Sequence, residues 1–300
     1  MSSHEKKGIV TVMVAMYNHE ATVVPALESL LQSDVSKVEL IVCDDKSKDN
    51  SIQVCRTWLE QHGRHFESWQ LIENEVNLGI NGNLNKLVAL ANGEYLTHFA
   101  SDDLLAPEAI DLQRNYMLRN SDKDFVWGNC AIIDLQGSTI KARVINGFQN
   151  ILFKIQFFLM LDLIYVWGLP WCRLFGKTKV FRSFGPYPSE YSLEDRWSAL
   201  KIAETKRFGY MHNVVHLYRF RGRGENQYTP GVDQMLIRSD CARTESDIYA
   251  NTAIPWLRNY LWFRTLPYRL QQKNSPQLSW LFAKLNRLFH LGLRVLQFRG

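Results

Sequence analysis

VELIVCDDKSKDNS, residues 38–51, runs from an almost wholly apolar stretch into two adjacent acids and a string of hydroxyl, amide and charged side chains. A short β-branched apolar run bounded by turn residues predicts a buried strand that ends at the acids. Asp44 and Asp45 repel each other, so the pair needs a physical reason. Turn chemistry offers one, because Asp, Ser and Asn bond their own backbone where strands stop. A ligand waiting beyond the strand end offers another.

Working outward, the pattern repeats. IVTVMVAMY (9–17) predicts a first buried strand, and HEATVVPALESLLQS a helix with Pro25 in its first turn, where a missing N–H costs little. After the second strand (38–44) come a helix in KDNSIQVCRTWLEQHG, a third strand in SWQLIENE (68–75), a third helix in NGNLNKLVALANG (81–93) stopped by Gly93, and a fourth strand in EYLTHFA (94–100). Strands alternating with helices predict an α/β fold with a mostly parallel, Rossmann-like sheet covered on both faces. Ligands of such sheets bind beyond the carboxyl ends of the strands. Tyr17, Asp44 and Asp102 arrive there from three different strands. Beyond residue 104 the reading is a helix in PEAIDLQRNYMLRN and a strand in FVWGNCAIID. ILFKIQFFLMLDLIYVWGLPW (151–171) is strongly apolar but interrupted by Lys154, Gln156 and Asp162. A charge at a bilayer centre costs about 2.5–3.5 kcal/mol, so this stretch reads as a buried helix pair or a partly exposed lid rather than a span.

With 46% hydrophobic and 22% charged residues, 300 residues suffice for one large domain or two smaller ones. The five cysteines (43, 55, 130, 172 and 241) form no CxxC, and Cys43 falls inside a buried strand. That argues against a disulfide framework or zinc site and for a reducing compartment. MSSHEKKG leads into a strand without an apolar h-region, so no signal peptide is expected. The net charge of +5 is concentrated at one end: residues 248–300 hold eight Lys or Arg and no acid, and the remainder has 27 bases against 30 acids.

Dinucleotide binding would need a Gly-rich turn after the first strand, yet no glycine occurs between Gly8 and Gly63, and no Walker A sequence is present. The first turn instead offers Tyr17, Asn18 and Glu20. An aromatic face stacks a base, and a carboxylate accepts the N3–H of uracil or bonds a ribose hydroxyl. Ser101-Asp102-Asp103 ends the fourth strand; adjacent carboxylates there suit a shared Mg²⁺ or Mn²⁺. Its plainer reading is an N-cap for the helix beginning near Pro107.

VTVMVAMYNHEATVVPALESLLQS, VELIVCDDKSKDNS, NLGINGNLNKLVALANGEYLTHFASDDLLAPEAI and YSLEDRWSALKIA, in this order over about residues 8–225, resemble glycosyltransferase family 2. The resemblance implies a GT-A fold and a metal-dependent, inverting sugar transferase. It implies that Met16, Tyr17 and Glu20 form the first nucleotide-contacting turn and that Asp44 and Asp45 bind uracil and ribose. Asn77, Gly79 and Asn85 match the segment leading to the metal strand, and Ser101, Asp102 and Asp103 match the Asp-x-Asp region, with Asp102 and Asp103 as metal ligands. Two departures stand out: the first acid of Asp-x-Asp falls at Ala100, and the basic residue expected before Asn85 is Leu84. Glu194-Asp195 matches the family's Glu-Asp pair, whose Asp takes the acceptor proton; the plainer reading is a charged helix start. HLYRFRGRGENQ (216–227) places Arg219, Arg221 and Arg223 on a Gly-punctuated loop, fit for donor phosphates or simply solvated. His98 and His212 are read as packed or exposed.

The expected organisation is a GT-A domain over 1–230, with a nucleotide-sugar half (1–103) and an acceptor half (104–230), followed by a basic helical extension (231–300). PQLSWLFAKLNRLFHLGLRVLQF (276–298) carries Leu and Phe at helical spacing, interleaved with Lys284, Arg287 and Arg294. Such a helix lies in an anionic membrane interface, closes its own core or makes a dimer contact. The expected partners are a nucleotide-sugar, UDP-linked with a GDP- or dTDP-linked donor as the nearest alternative, a glycan or lipid-linked acceptor, a divalent metal and an anionic membrane surface, with no nucleic acid. The expected location is cytoplasmic, peripheral to the membrane. The alternative is a catalytically inactive relative that binds nucleotide-sugar or serves as a scaffold.

Overall fold

The computed structural model describes residues 5–166, 174–189, 194–220, 234–252 and 254–272, together with Lys284. The apolar alternation of the first strand, β1 (Lys6–Met16), divides its side chains between two cores. Val10, Val12, Val14 and Met16 face one side with Val38, Leu40 and Val42, while Met13 faces the other with Ile41 and Cys43. The latter residues belong to β2 (Val38–Asp44), buried along its whole length. Glu39 interrupts that strand with a buried charge. Its carboxylate accepts from Thr11 Oγ1 at 2.6 Å and from Asn92 through both N–H (2.7 Å) and Nδ2 (2.9 Å), which offsets the cost of burial.

Helix α1 (Val23–Leu30) follows β1 with Pro25 in its first turn, and α2 (Ser51–His62) follows β2. β3 (Ser68–Glu73), α3 (Gly79–Leu90) and β4 (Gly93–Ala100) complete the first half. The strands pair in parallel in the order β3-β2-β1-β4, with Met16 opposite Asp44 and Ala15 opposite Ala100. This register brings three strand ends to one level.

The third helix starts and stops earlier than expected, and Gly93 opens β4 rather than closing α3. Close packing explains the glycine: a Cβ there would lie 2.7 Å from Thr11 N and 2.8 Å from Ile9 O. Backbone atoms cannot yield as a side-chain tip does. Gly93→Ala is therefore expected to cost about 1–3 kcal/mol, read as a lower urea midpoint with an unchanged slope.

The second half departs from a mostly parallel sheet. It contains β5 (Leu104–Leu105), α4 (Ala109–Arg119), β6 (Phe125–Ile133), β7 (Thr139–Lys141), β8 (Leu174–Lys177), α7 (Thr178–Ser183), α8 (Glu194–Thr205) and β9 (Phe208–Arg219). The sheet continues β4-β8-β6-β9-β5, and β7 pairs with β6. β8 runs antiparallel to both of its neighbours, so the sheet is mixed. LFGK carries no alternation to announce a strand; Gly176 serves there because a Cβ would press within 2.3 Å of the Phe125 ring. His216 to Arg219, read as loop, form the end of β9.

The apolar 151–171 region contributes α5 (Gly147–Leu152), α6 (Gln156–Leu161) and a π-helical turn (Asp162–Val166). Phe153, Leu159, Leu163 and Ile164 are buried, whereas Phe148, Ile151, Ile155 and Phe157 are exposed. Among the described residues no helix is long and apolar enough to cross a membrane. Helices α9 (Gln234–Asn251) and α10 (Pro255–Gln272) send Ile248, Leu257, Tyr260 and Leu261 into the same core as Trp127, Leu200 and Phe208. Through these helices the segment expected to form a basic extension from 231 shares the sheet's core. The stretch 276–298 lies outside the described residues. Cys43, Cys55 and Cys130 are buried thiols.

Candidate active site

The turns after β1 and β2 are stitched to each other. Asn18, at φ 55°, reverses the chain; its N–H donates to Ser47 Oγ (2.9 Å) and its Oδ1 accepts from Lys48 N (2.7 Å). His19 N donates to Ser51 Oγ (2.7 Å), and the Glu20 carboxylate accepts from Asn50 N and Nδ2, both at 3.1 Å. Glu20 therefore faces the neighbouring turn. Tyr17, 38% exposed, presents its ring to solvent, while Met16 is buried beneath it in sequence and supports the turn.

The adjacent acids diverge. Asp44 accepts from Ser47 N (2.9 Å) and Ser47 Oγ (2.5 Å), the turn bonding that its sequence suggests. Asp45 reaches instead to the start of α3, where it accepts from Leu78 N (2.7 Å), Gly79 N (2.8 Å) and Asn74 Nδ2 (3.1 Å). Helix N-terminal N–H groups lack intrahelical partners, so a carboxylate there is doubly favoured. Asn77 Nδ2 adds a bond to Asp45 O at 3.2 Å, and Gly79 holds φ +69° at the helix entry. Sequence reasoning missed the buried amides behind this turn: Asn74 Nδ2 donates to Asn83 Oδ1 (2.7 Å), and Lys86 Nζ donates to Asn74 Oδ1 (2.8 Å).

At the end of β4, Ser101 Oγ donates to Ala15 O at 3.0 Å and lies 2.6 Å from His19 Nδ1. Asp102 is buried, with Oδ2 4.0 Å from His19 Nε2. Asp103 turns inward, its Oδ2 2.8 Å from His216 Nε2 and its Oδ1 accepting Arg219 N–H at 2.7 Å. Arg219 is likewise buried: Nε donates to Asp102 O (2.8 Å) and Nη1 to Leu135 O (2.7 Å). Its guanidinium fixes the backbone beneath the acid, and no donor phosphate is needed to explain its place. Arg221 lies outside the described residues. His98 is packed, and burial pushes it down to about 4; His212 is exposed. Among the described residues no three His, Cys, Asp or Glu side chains gather as a ready-made metal cage. A hard cation bound through one carboxylate and substrate phosphates needs no such cage, so Asp102 fits that duty.

A chain of contacts links these turns to Asp195. Helix α3, held at its start by Asp45, uses Asn85 to clasp the Tyr187 backbone: Nδ2 donates to Tyr187 O (2.9 Å) and Oδ1 accepts from Tyr187 N (2.7 Å). Asn81 Nδ2 bonds Pro188 O one turn earlier. The Tyr187 ring packs 4.8 Å from Trp197 and its hydroxyl lies 3.3 Å from Ser198 Oγ, both on α8. Asp195 sits in the first turn of α8, with Oδ1 accepting Arg196 N at 2.9 Å. Burial pushes both carboxyls of the Glu194–Asp195 pair above the ordinary carboxylate range, Glu194 further because Asp195's charge adds to it.

Behind the pair lies a buried ionic cluster with no short-range sequence signal. Arg196 donates to Glu245 Oε1 from Nη2 (2.7 Å) and Nε (3.1 Å), and to Leu163 O and Ile164 O. Arg264 Nε approaches Glu245 Oε2 at 3.2 Å. Helices α8, α9 and α10 and the π-helical turn meet at this cluster.

Comparison with known proteins bears on the same elements. The Escherichia coli UDP-Glc:alpha-D-GlcNAc-diphosphoundecaprenol beta-1,3-glucosyltransferase WfgD is 29% identical over 126 residues, 42% of this chain and 47% of that protein. The chain's matches span 33–51% of the length of the first curated relatives. S. aureus TarS 1–349 in complex with UDP-GlcNAc shares the fold at a TM-score of 0.66 and 17% identity, covering 88% of this chain and 73% of that one. A Pyrobaculum calidifontis mannosyltransferase in complex with GDP-Man and Mn²⁺ does so at 0.64 and 17%, covering 98% and 82%. The mixed sheet and its surrounding helices form a GT-A fold. With residues 11–175, more than half of its length, matching the model for Glycosyl transferase family 2, the chain belongs to that family.

Proposed function

We propose that the protein is an inverting glycosyltransferase that moves a sugar from a UDP-sugar to a lipid-linked or polysaccharide acceptor in bacterial surface-glycan synthesis. The observation that carries this reading is the arrangement of strand ends. Parallel β1, β2 and β4 bring Tyr17, Asp44, Asp45 and Asp102 to one edge, and α3 connects that edge through Tyr187 to α8. UDP-GlcNAc in the TarS structure and the undecaprenol-linked acceptor in WfgD's name support the donor and acceptor classes.

In this reading the exposed Tyr17 ring stacks the base, and the Asp44–Asp45 turn recognises uracil and ribose. Asp195 accepts the proton of the attacking hydroxyl as oxygen bonds the anomeric carbon; the carbon–phosphate-oxygen bond breaks on the opposite face and UDP departs. A divalent cation at Asp102, when bound, neutralises charge on the departing diphosphate. The basic stripe at 276–298 holds the protein to the cytoplasmic face of an anionic membrane. Ala100, where the family pattern has an acid, favours a second reading as a non-catalytic nucleotide-sugar binder.

Thermal unfolding with UDP-, GDP- and dTDP-sugars tests the donor, with and without Mn²⁺. A ligand at 100 times its Kd adds about 2.7 kcal/mol, and the UDP compounds with Mn²⁺ are expected to do so. Asp102→Ala should abolish the Mn²⁺-dependent part. Stabilisation by GDP compounds alone would reassign the donor. UDP binding without turnover of any UDP-sugar, whether to acceptor or water, would favour the binder.

A further inference from the structure

We propose that His19 is a second protein ligand of the divalent cation, acting through Nε2 beside Asp102 Oδ2, and that it tilts the site towards Mn²⁺ or Co²⁺ over Mg²⁺. The inference rests on the reading of Asp102 as a metal carboxylate and adds an imidazole to it.

The backbone fixes the ring's position. His19 N is bonded to Ser51 Oγ, and His19 O accepts from Thr22 N (3.0 Å) and Val23 N (2.9 Å) at the entry to α1. The hydrogen bonds then assign the tautomer. Ser101 Oγ has a single hydrogen, which goes to Ala15 O because a carbonyl only accepts. Ser101 must therefore accept from His19 across the 2.6 Å contact, which puts the ring hydrogen on Nδ1 and makes Nε2 the basic nitrogen. A ligating histidine is usually oriented in this way, with its other N–H held by an oxygen that is itself hydrogen-bonded.

Nε2 stands 4.0 Å from Asp102 Oδ2. A direct charged hydrogen bond would bring these atoms to about 2.7–2.9 Å. Two metal–ligand bonds of about 2.1 Å each put neighbouring ligands about 3.0 Å apart and opposite ones about 4.2 Å apart, so the separation lies within the reach of one shared ion. The surroundings give the imidazole a purpose. Ala100 supplies no oxygen ligand, and Asp103 is bonded to His216 and to Arg219 N–H. Carboxylate and water suit Mg²⁺ and Mn²⁺ alike; an added nitrogen ligand favours first-row transition ions over Mg²⁺, rising from Mn²⁺ to Co²⁺.

The test is pulsed electron paramagnetic resonance of Mn²⁺ bound to the full chain with UDP, comparing protein with ordinary and heavy-nitrogen histidine. A nitrogen modulation that changes with the histidine isotope is expected, and because it is read on the unaltered chain it does not depend on how a variant folds. His19→Ala should remove that modulation and weaken Mn²⁺ and Co²⁺ by more than Mg²⁺. Ser101→Ala, which frees the ring to turn, should weaken Mn²⁺ by about 10–100-fold. Mn²⁺ that binds and is lost in Asp102→Ala, yet shows no histidine nitrogen, would overturn the inference and leave the function reading intact. Failure of Mn²⁺ to bind at all in the presence of UDP would overturn both.

Discussion

Asp195→Asn is expected to lower the transfer rate by about 10²–10⁴-fold while UDP affinity stays near that of the parent. The amide keeps the size of the carboxyl and can still accept Arg196 N–H, the 2.9 Å bond that orients the group. It cannot take a proton. Comparing kcat with the thermal shift caused by UDP separates lost chemistry from lost binding. Normal turnover, or a defect confined to UDP binding, would move the role elsewhere. The parent's pH profile offers a second check. Burial raises the Glu194–Asp195 pair, so the proposed base is protonated at a higher pH than an ordinary carboxylate. The acid limb of kcat/KM should therefore lie above the usual carboxylate range. Stability follows the opposite sign: the folded state holds these protons more tightly than the unfolded chain, so stabilisation declines as pH rises from the ordinary carboxylate value through the raised one.

Glu245→Ala should cost about 3–5 kcal/mol, the usual result of removing one member of a buried ionic group. Arg196, itself 2% exposed, would lose its carboxylate partner, and Arg264 with it. Although burial alone would raise Glu245, the charges of Arg196 and Arg264 hold its carboxyl below the ordinary range. Its stabilising contribution is thus present above the ordinary glutamate pKa and is lost as pH falls through the lowered folded value. Urea midpoints measured at neutral and acidic pH test both points. A variant as stable as the parent would show that the cluster adds nothing to the fold.

What could be read from the chain beforehand depends on the range of the interactions involved. β1, β2 and β4 were legible because alternation and β-branching are local, and their sequence ends placed Tyr17, Asp44 and Asp102 together. β8 was not, since LFGK becomes a strand only through its pairing with β4 and β6. The bonding of the site residues was hidden too. An acid that holds a neighbouring helix, as Asp45 does, has the same sequence appearance as one awaiting a nucleotide. Asn85 likewise reads as a ligand contact, yet it grips Tyr187 across 102 residues of chain. His19 lies between Asn18 and Glu20 in the first turn, and only its proximity to Ser101 and Asp102 singles out the imidazole.

The core shared across residue 230 sets a limit for anyone trimming or recombining this enzyme family member. A chain shortened there would strip Ile248, Leu257, Tyr260 and Leu261 from around Trp127, Leu200 and Phe208, and would remove Glu245 from Arg196. Freshly uncovered apolar surface of that kind invites aggregation. A shortened chain should therefore keep at least α9 and α10, and a chimera that exchanges α8 should import both from the same parent.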